Sequence, residues 1–203
     1  MASEIETPDY YSDKLLHNYI YKGAAVTPRI KIDLKRHKNY SEIIKELPDS
    51  GNIRVFGAGM GSFPLLLSMV KPALLIDASD DDEEKVALAK HCASCTERIN
   101  YMEGNPLNDI SNTRYDVIVL LDCLSLFDNP DQMQILRNCI NNAPLVLICD
   151  LEYSVNDKIR MILKGIELPK LKNYSFSHLE QLSEGLSVSI IQKDNIFAVS
   201  RMV

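Results

Sequence analysis

Val55-Phe56-Gly57-Ala58-Gly59-Met60-Gly61-Ser62-Phe63 places three glycines at alternate positions between two apolar stretches. Residues 52–56 (Asn-Ile-Arg-Val-Phe) read as a short strand. The run through Val70, with Phe63, Leu65, Leu66, Leu67 and Met69, is apolar enough for a buried helix. Glycines at such a junction let the backbone turn tightly and approach another group closely. The helix beyond them presents its first N–H groups and the positive end of its dipole to whatever lies at the turn.

Downstream, the alternation continues. Residues 73–76 (Ala-Leu-Leu-Ile) read as a second strand that ends at acids, and a helix is expected from about Asp82 to Cys95. Residues 99–102 are a weak third strand. Tyr115–Leu121 and Pro144–Cys149 are strong apolar runs of the kind buried in a parallel sheet, with a helix between them from about Pro130 to Ile140. After a helix near Ser177–Ser183, two β-rich runs, Ser187–Gln192 and Ile196–Ser200, flank Lys193-Asp194-Asn195 at hairpin spacing. Strands alternating with helices imply an α/β fold with a mostly parallel sheet, right-handed crossovers and helices on both faces. The seven strands would end in an antiparallel hairpin.

Upstream, Leu15, Leu16, Tyr19, Ile20, Ile30, Ile32, Leu34, Ile43, Ile44 and Leu47 recur at helical spacing, interrupted by Gly23 and Pro28. We expect two or three short helices, and divide the chain into an N-terminal helical extension or cap (1–50) and an α/β domain (51–203). Arg29, Lys31, Lys35, Arg36 and His37 read as the solvated face of one of these helices.

At 203 residues, 46% hydrophobic and 25% charged, the chain has the composition of a globular domain able to bury a full core. Its formal net charge of −6 repels polyanions, so nucleic acid is not the expected partner. No apolar window of about 18 residues is present, so no integral membrane segment is expected. The N-terminal residues lack an apolar signal core. Cys92, Cys95, Cys123, Cys139 and Cys149 are odd in number and sit mostly in apolar runs, which suits reduced thiols and a cytoplasmic location. The Cys92-Ala-Ser-Cys95 spacing has no second cysteine pair and falls inside a helix, so it reads as packing, with no metal site expected. His37 and His178 stand alone and read as surface or helix-end residues.

Two ligand classes use a turn like residues 57–61, although it also serves as a plain strand-to-helix connection. The dinucleotide fingerprint G-x-G-x-x-G requires glycine at position 62, where Ser62 stands. The spacing present is G-x-G-x-G. Asp77 lies 77 − 57 = 20 residues beyond the first glycine, at the expected end of the second strand. An ionised carboxylate there accepts hydrogen bonds from ribose hydroxyls. The acids Asp80, Asp81, Asp82, Glu83 and Glu84 that follow read as charge complementing a helix N-terminus.

On these residues the chain, over roughly 50–203, resembles the class I S-adenosylmethionine-dependent methyltransferases. The resemblance implies a Rossmann-like fold and S-adenosylmethionine as cofactor. It implies that Gly57, Ala58 and Gly59 line the methionine part, that Asp77 holds the ribose, and that Ala78 also borders the cofactor. Asn105, in Glu103-Gly104-Asn105-Pro106, would meet the adenine amino group, with Pro106 beside it. Leu121, followed by Asp122, would line the cofactor and face the acceptor. Residues 16–34, with Tyr19-Ile20-Tyr21-Lys22-Gly23, resemble a bacterial subgroup often encoded near lipid acyltransferases and aryl-polyene pigment genes. That similarity implies Tyr21 and Lys22 near the methionine carboxylate. One departure is plain: Val55 stands where the family usually carries an acid that helps fix the methionine ammonium. Losing such a charge-assisted contact costs about 1.5–3 kcal/mol, or tenfold to a hundredfold in affinity.

Leu121-Asp122-Cys123-Leu124 contains no N/D-P-P-Y/F motif, which argues against methylation of adenine or glutamine amino groups. The expected function is therefore methyl transfer to a small-molecule or lipid-like acceptor. Asp122, Tyr21 and His17 are candidate bases, and none is assigned as catalytic. Two alternatives stay open: a methyltransferase fold without turnover that serves as a binding or partner subunit, and an NAD(P)-dependent oxidoreductase. A homodimer is compatible with the sequence, which assigns no residue to it.

Overall fold

Apolar runs bounded by turn residues form the middle of one sheet in the computed structural model, which describes residues 8–19, 22–23, 26–36, 40–92, 97–109, 113–149, 176–193 and 196–202. The strands are β1 (Ser50–Phe56), β2 (Ala73–Asp80), β3 (Ile99–Glu103), β4 (Val117–Leu121), β5 (Leu145–Cys149), β6 (Val188–Lys193) and β7 (Ile196–Arg201). They lie in the order β3-β2-β1-β4-β5-β7-β6. The first five are parallel, whereas β7 pairs antiparallel with both β5 and β6. The expected seven-stranded, mostly parallel sheet with antiparallel C-terminal strands is what forms.

Side chains alternate across this sheet and divide the core in two. Ile53, Val55, Val117, Val119, Leu121, Leu147 and Cys149 point to one face, with α4 (Ser62–Val70) and α5 (Glu83–Cys92). Phe56, Ile118, Leu120, Val146, Ile148, Phe197 and Val199 point to the other, with α6 (Asn129–Asn142) and α7 (Phe176–Leu182). Val55 therefore belongs to the core: it is fully buried and level with Ala78 on one side and Val119 on the other. An acid placed there would lose its hydration among apolar neighbours.

The N-terminal helices α1 (Pro8–His17), α2 (Val26–Arg36) and α3 (Tyr40–Glu46) share the first of these cores. Leu15, Tyr19, Ile30, Ile43 and Ile44 pack in one cluster with Ile53, Val55, Leu66 and Leu67. This explains why α4 is apolar all round: it lies between the sheet and the N-terminal segment, and residues 62–68 are all buried. Pro64 sits in the first turn of α4, where a missing N–H breaks no helical bond. On α2, Arg29 and Lys31 are exposed, as a solvated face requires.

The sequence places the end of β2 at Ile76; the ladder carries it on to Asp80. Ala78, Ser79 and Asp80 pair with Tyr101, Met102 and Glu103 of β3, while Ala78 and Ser79 also pair with Val55 and Phe56. Inter-strand hydrogen bonds on both sides outweigh the poor strand propensity of Asp-Ala-Ser-Asp.

Two outcomes follow from this packing. Ile43→Ala removes a fully buried side chain from the shared core, so it should cost about 2–5 kcal/mol. Urea unfolding followed by far-ultraviolet dichroism and tyrosine fluorescence should show one coincident transition, because α3 and the sheet share that core. Gly57 has φ 75°, and a Cβ there would overlap the Leu121 carbonyl oxygen. Gly57→Ala should therefore cost about 3 kcal/mol or more in the same measurement.

Candidate cofactor-binding site

The glycine turn leaves β1 at the point where the sheet order reverses, between β2 and β4, and ligands of open α/β sheets bind in the crevice at such points. Four bonds fix the turn. The Ala58 N–H donates to the Ser79 carbonyl at 2.9 Å, and the Gly61 N–H to the Ala58 carbonyl at 2.9 Å. The Tyr19 hydroxyl donates to the Met60 carbonyl at 2.8 Å, and the Tyr101 hydroxyl to the Gly61 carbonyl at 3.1 Å. Gly59, at φ 54°, forms the open apex: a Cβ there would meet nothing within 4 Å. Its N–H donates to Asp80 Oδ2 at 2.8 Å.

Asp80 is thus the carboxylate at the end of β2 that lies against the glycine turn. It is only 8% exposed. Its Oδ1 accepts the Asp82 N–H at 3.2 Å and lies 3.5 Å from Lys85 Nζ. Burial raises its pKa above the usual aspartate value, against the opposing pull of Lys85 and of the Gly59 and Asp82 N–H groups. The acidic run therefore divides. Asp82 accepts the Lys85 N–H at 3.1 Å at the start of α5, and that bond lowers its pKa; Glu83 and Glu84 occupy the first helical turn.

Asp77 sits three residues back from the strand end. Its Oδ1 accepts from Asn100 Nδ2 at 3.0 Å and its Oδ2 from the Tyr115 hydroxyl at 2.9 Å. Ala78 is fully buried within the strand. The expectation at Asp77 rested on a strand ending at Ile76; β2 instead ends at Asp80, and it is Asp80 that bonds the glycine turn. An Asp-Ala-Ser-Asp-Asp-Asp run offers an acid at every plausible end, so the sequence alone could not select one.

Asn105 lies in the loop after β3, next to Asp80, whose carbonyl accepts the Gly104 N–H at 3.0 Å. Its Oδ1 accepts the N–H groups of Leu107 and Asn108 at 3.0 and 3.2 Å, and Pro106 is buried. Leu121 is buried under Gly57. Asp122 follows with φ 48°, the one non-glycine positive φ among the described residues, and donates its N–H to the Cys149 carbonyl at 2.9 Å. Such a conformation persists only where the surroundings impose it. Tyr21 lies outside the described residues. Lys22 is half-buried and close enough to Cys92 to act on its thiol, whose pKa burial raises. His17 is exposed at the end of α1.

Several residues brought to this place carried no local signal. Asp33, on α2, accepts a hydrogen bond from Ser62 Oγ at 2.9 Å, at the first turn of α4. Tyr40, on α3, packs its ring 4.7 Å from Phe63. Burial pushes its phenol well above the usual range; Asp33 and Asp122 push the same way, and a hydrogen bond with Ser62 opposes them. The α2 carboxylate thus bonds one hydroxyl of a Ser62–Tyr40 pair at the start of α4, within the electrostatic reach of Asp122. Only folding brings residues 33, 40, 62 and 122 together.

Among the remaining candidates, Cys92 is a free, buried thiol packed with Val86 and Ala89, and Cys95 lies outside the described residues. His178 Nε2 lies 3.1 Å from Gln132 Oε1, and Gln132 Nε2 donates to the carbonyls of Leu124 and Phe127, which fixes the loop after β4. No helix among the described residues is long and apolar enough to cross a membrane.

No known family model matches this sequence, and no curated protein matches it. Solved structures do. The magnesium protoporphyrin IX methyltransferase of Synechocystis PCC 6803, determined with bound S-adenosylhomocysteine, superposes with a TM-score of 0.65 at 15% identity, over 96% of this chain and 98% of that one. An O-methyltransferase family protein from Burkholderia thailandensis gives 0.58 at 14% identity, over 98% of this chain and 61% of that one. CalO1, a methyltransferase in calicheamicin biosynthesis, gives 0.59 at 17% identity, over 99% of this chain and 69% of that one. The chain has the Rossmann-like α/β fold shared by these class I methyltransferases.

Proposed function

We propose that the chain binds S-adenosylmethionine at the ends of β1, β2 and β4 and transfers its methyl group to a small-molecule acceptor, with aryl and lipid-like compounds the first classes to try. The observation that carries this reading is the buried carboxylate of Asp80, bonded to the Gly59 N–H beside a turn whose apex borders open space. A nucleoside fits that arrangement, since an ionised carboxylate at the strand end accepts from ribose hydroxyls while a side-chain-free backbone lets the ligand approach closely. In this reading Asp80 takes the ribose role, Gly57, Ala58 and Gly59 border the methionine part, and Asn105 with Pro106 borders the base.

The missing acid at Val55 is offset from elsewhere. Asp33 places a carboxylate at the start of α4, and the charge of Asp122 acts on the same group of hydroxyls, where the ammonium and sulfonium of the cofactor would carry positive charge. When bound, S-adenosylmethionine supplies an electrophilic methyl on a positively charged sulfur. The work of the protein is then to hold an acceptor nucleophile in line with that bond and to exclude water. Tyr19, Asp33 and Tyr40, from the N-terminal segment, reach the turn or α4 and give this segment its part in closing the site.

Calorimetric titration tests the reading. Micromolar binding of S-adenosylmethionine and S-adenosylhomocysteine, with none of NADH, is the expected result; tight NADH binding, or a folded protein that binds neither adenosyl compound, overturns it. Asp80→Asn should raise the Kd for S-adenosylhomocysteine about tenfold to a hundredfold, through loss of charge-assisted bonds to the ribose. Asp77→Asn should change it less than about threefold. Because its folded pKa is raised, Asp80 favours the fold in its protonated form, a contribution present in acid and lost as pH rises through that pKa. Asp80→Asn should thus keep its melting temperature at neutral pH while losing affinity. The wild-type affinity should fall as pH drops into a window above the usual aspartate range, and Asp80→Asn should abolish that dependence. Asp33→Asn should weaken S-adenosylmethionine about tenfold yet leave 5′-methylthioadenosine, which lacks the ammonium, unchanged.

A further inference from the structure

Arg54 is an unusual residue for a central strand: it is only 3% exposed, on the α6 side of β1. Its guanidinium lies 4.4 Å over the Phe56 ring and reaches across two strands. One nitrogen donates to Ser79 Oγ of β2 at 3.1 Å, and another meets Met102 Sδ of β3 at 3.1 Å. The nitrogen on Ser79 also donates to Asp109 Oδ2, an ion pair between a buried cation and a partly exposed acid.

Asp109 closes the loop that follows β3. Its N–H donates to the Asn105 carbonyl at 3.0 Å, and its carboxylate lies directly against Gly104, where a Cβ would come within 2.6 Å of Oδ2. The Asn105 side chain is in turn tied to the N–H groups of Leu107 and Asn108, and the Gly104 N–H to Asp80. One guanidinium therefore fastens the whole 104–109 loop to β1, β2 and β3. Phe56, Tyr115, Ile118, Asn138, Cys139 and Asn142 line the small cavity beside it.

We propose that the Arg54–Asp109 pair is a positioning device for base recognition, holding Asn105 and its loop at the depth where they select the adenine ring. This rests on the cofactor reading given above. A buried cation is costly to keep unless its partner does something in return, and apolar residues of similar size often replace such pairs without loss. Here the partner sits on a loop rather than on a strand, so the pair sets where the loop stands. A purely structural role would affect every ligand alike; a positioning role affects discrimination at the base.

The test compares S-adenosylhomocysteine with S-inosylhomocysteine, which carries a 6-oxo group in place of the 6-amino group, by calorimetry on the full chain. The wild type should prefer the amino base by about tenfold, the worth of one hydrogen bond from the Asn105 side-chain amide N–H to ring N1, which carries a hydrogen in the 6-oxo base. In Asp109→Ala, S-adenosylhomocysteine should weaken about tenfold and the preference should collapse towards one. Because Asp109→Ala leaves a buried cation unpaired, the double variant Arg54→Met/Asp109→Ala is measured beside it. That variant removes the charge and should keep the wild-type melting temperature within a few degrees while losing the preference. Equal weakening of both compounds, an unchanged preference, or a wild type with no preference overturns the inference. A wild type that binds neither compound overturns the cofactor reading itself, and the inference with it.

Discussion

The contact on which the rest of this structure depends is the approach of Gly57 to the carbonyl of Leu121. At that point the chain leaves β1 beside the end of β4, so close that no side chain fits between them. The turn that results directs α4 back over the sheet and leaves Gly59 at an open apex between β2 and β4. Without a glycine at 57, α4 would start elsewhere, and the crevice at the reversal of strand order would not take this form. The three glycines thus do different work, although they look alike in sequence. Gly57 permits two strand ends to meet, Gly59 leaves room beside a carboxylate, and Gly61 lets Tyr101 and Ala89 pack against the turn.

From that turn the packing spreads in both directions. The apolar α4 is enclosed by the sheet below and the N-terminal helices above, so Leu15, Tyr19, Ile30, Ile43, Ile44 and Leu47 share one core with the sheet. Burial of that segment brings Tyr19 to the Met60 carbonyl and Asp33 to Ser62. The glycine turn is held by tyrosine hydroxyls from two sides, Tyr19 from the N-terminal segment and Tyr101 from β3. Ser62, which departs from the dinucleotide fingerprint, has its own reason: its hydroxyl bonds the carboxylate that α2 delivers. Val55, the departure from the methyltransferase pattern, is equally explained by the apolar cluster that surrounds it.

On the opposite face of β1, β2 and β3, polar groups take the place of an apolar layer. Arg54, Ser79, Asp77, Asn100, Tyr115 and Asp109 bond to one another there in two groups, around Arg54 and around Asp77. Asp77 belongs to this surface, which is why its carboxylate is already committed to Asn100 and Tyr115. Side-chain period along a strand decides the matter: residues 77 and 79 face one way, residues 78 and 80 the other. A shift of the strand end by three residues therefore exchanges one acid for another at the site.

The sequence by itself determined the sheet and its connections, because apolar runs, glycine turns and the strand–helix alternation are local signals that tertiary contacts reinforce. It also located the turn at residues 57–61 and the loop at 103–106, since glycine and proline act through backbone geometry that a few residues define. Tertiary structure decided which carboxylate of the run from Asp77 to Asp82 meets that turn, because the ladder with β1 and β3, not local propensity, sets where β2 ends. It decided as well that Tyr19, Asp33, Tyr40 and Arg54 stand near the candidate site. Tyr19, Asp33 and Tyr40 are separated from the turn by tens of positions along the chain, as Arg54 is from its partner Asp109, and a contact between such partners leaves no periodicity in the sequence of either.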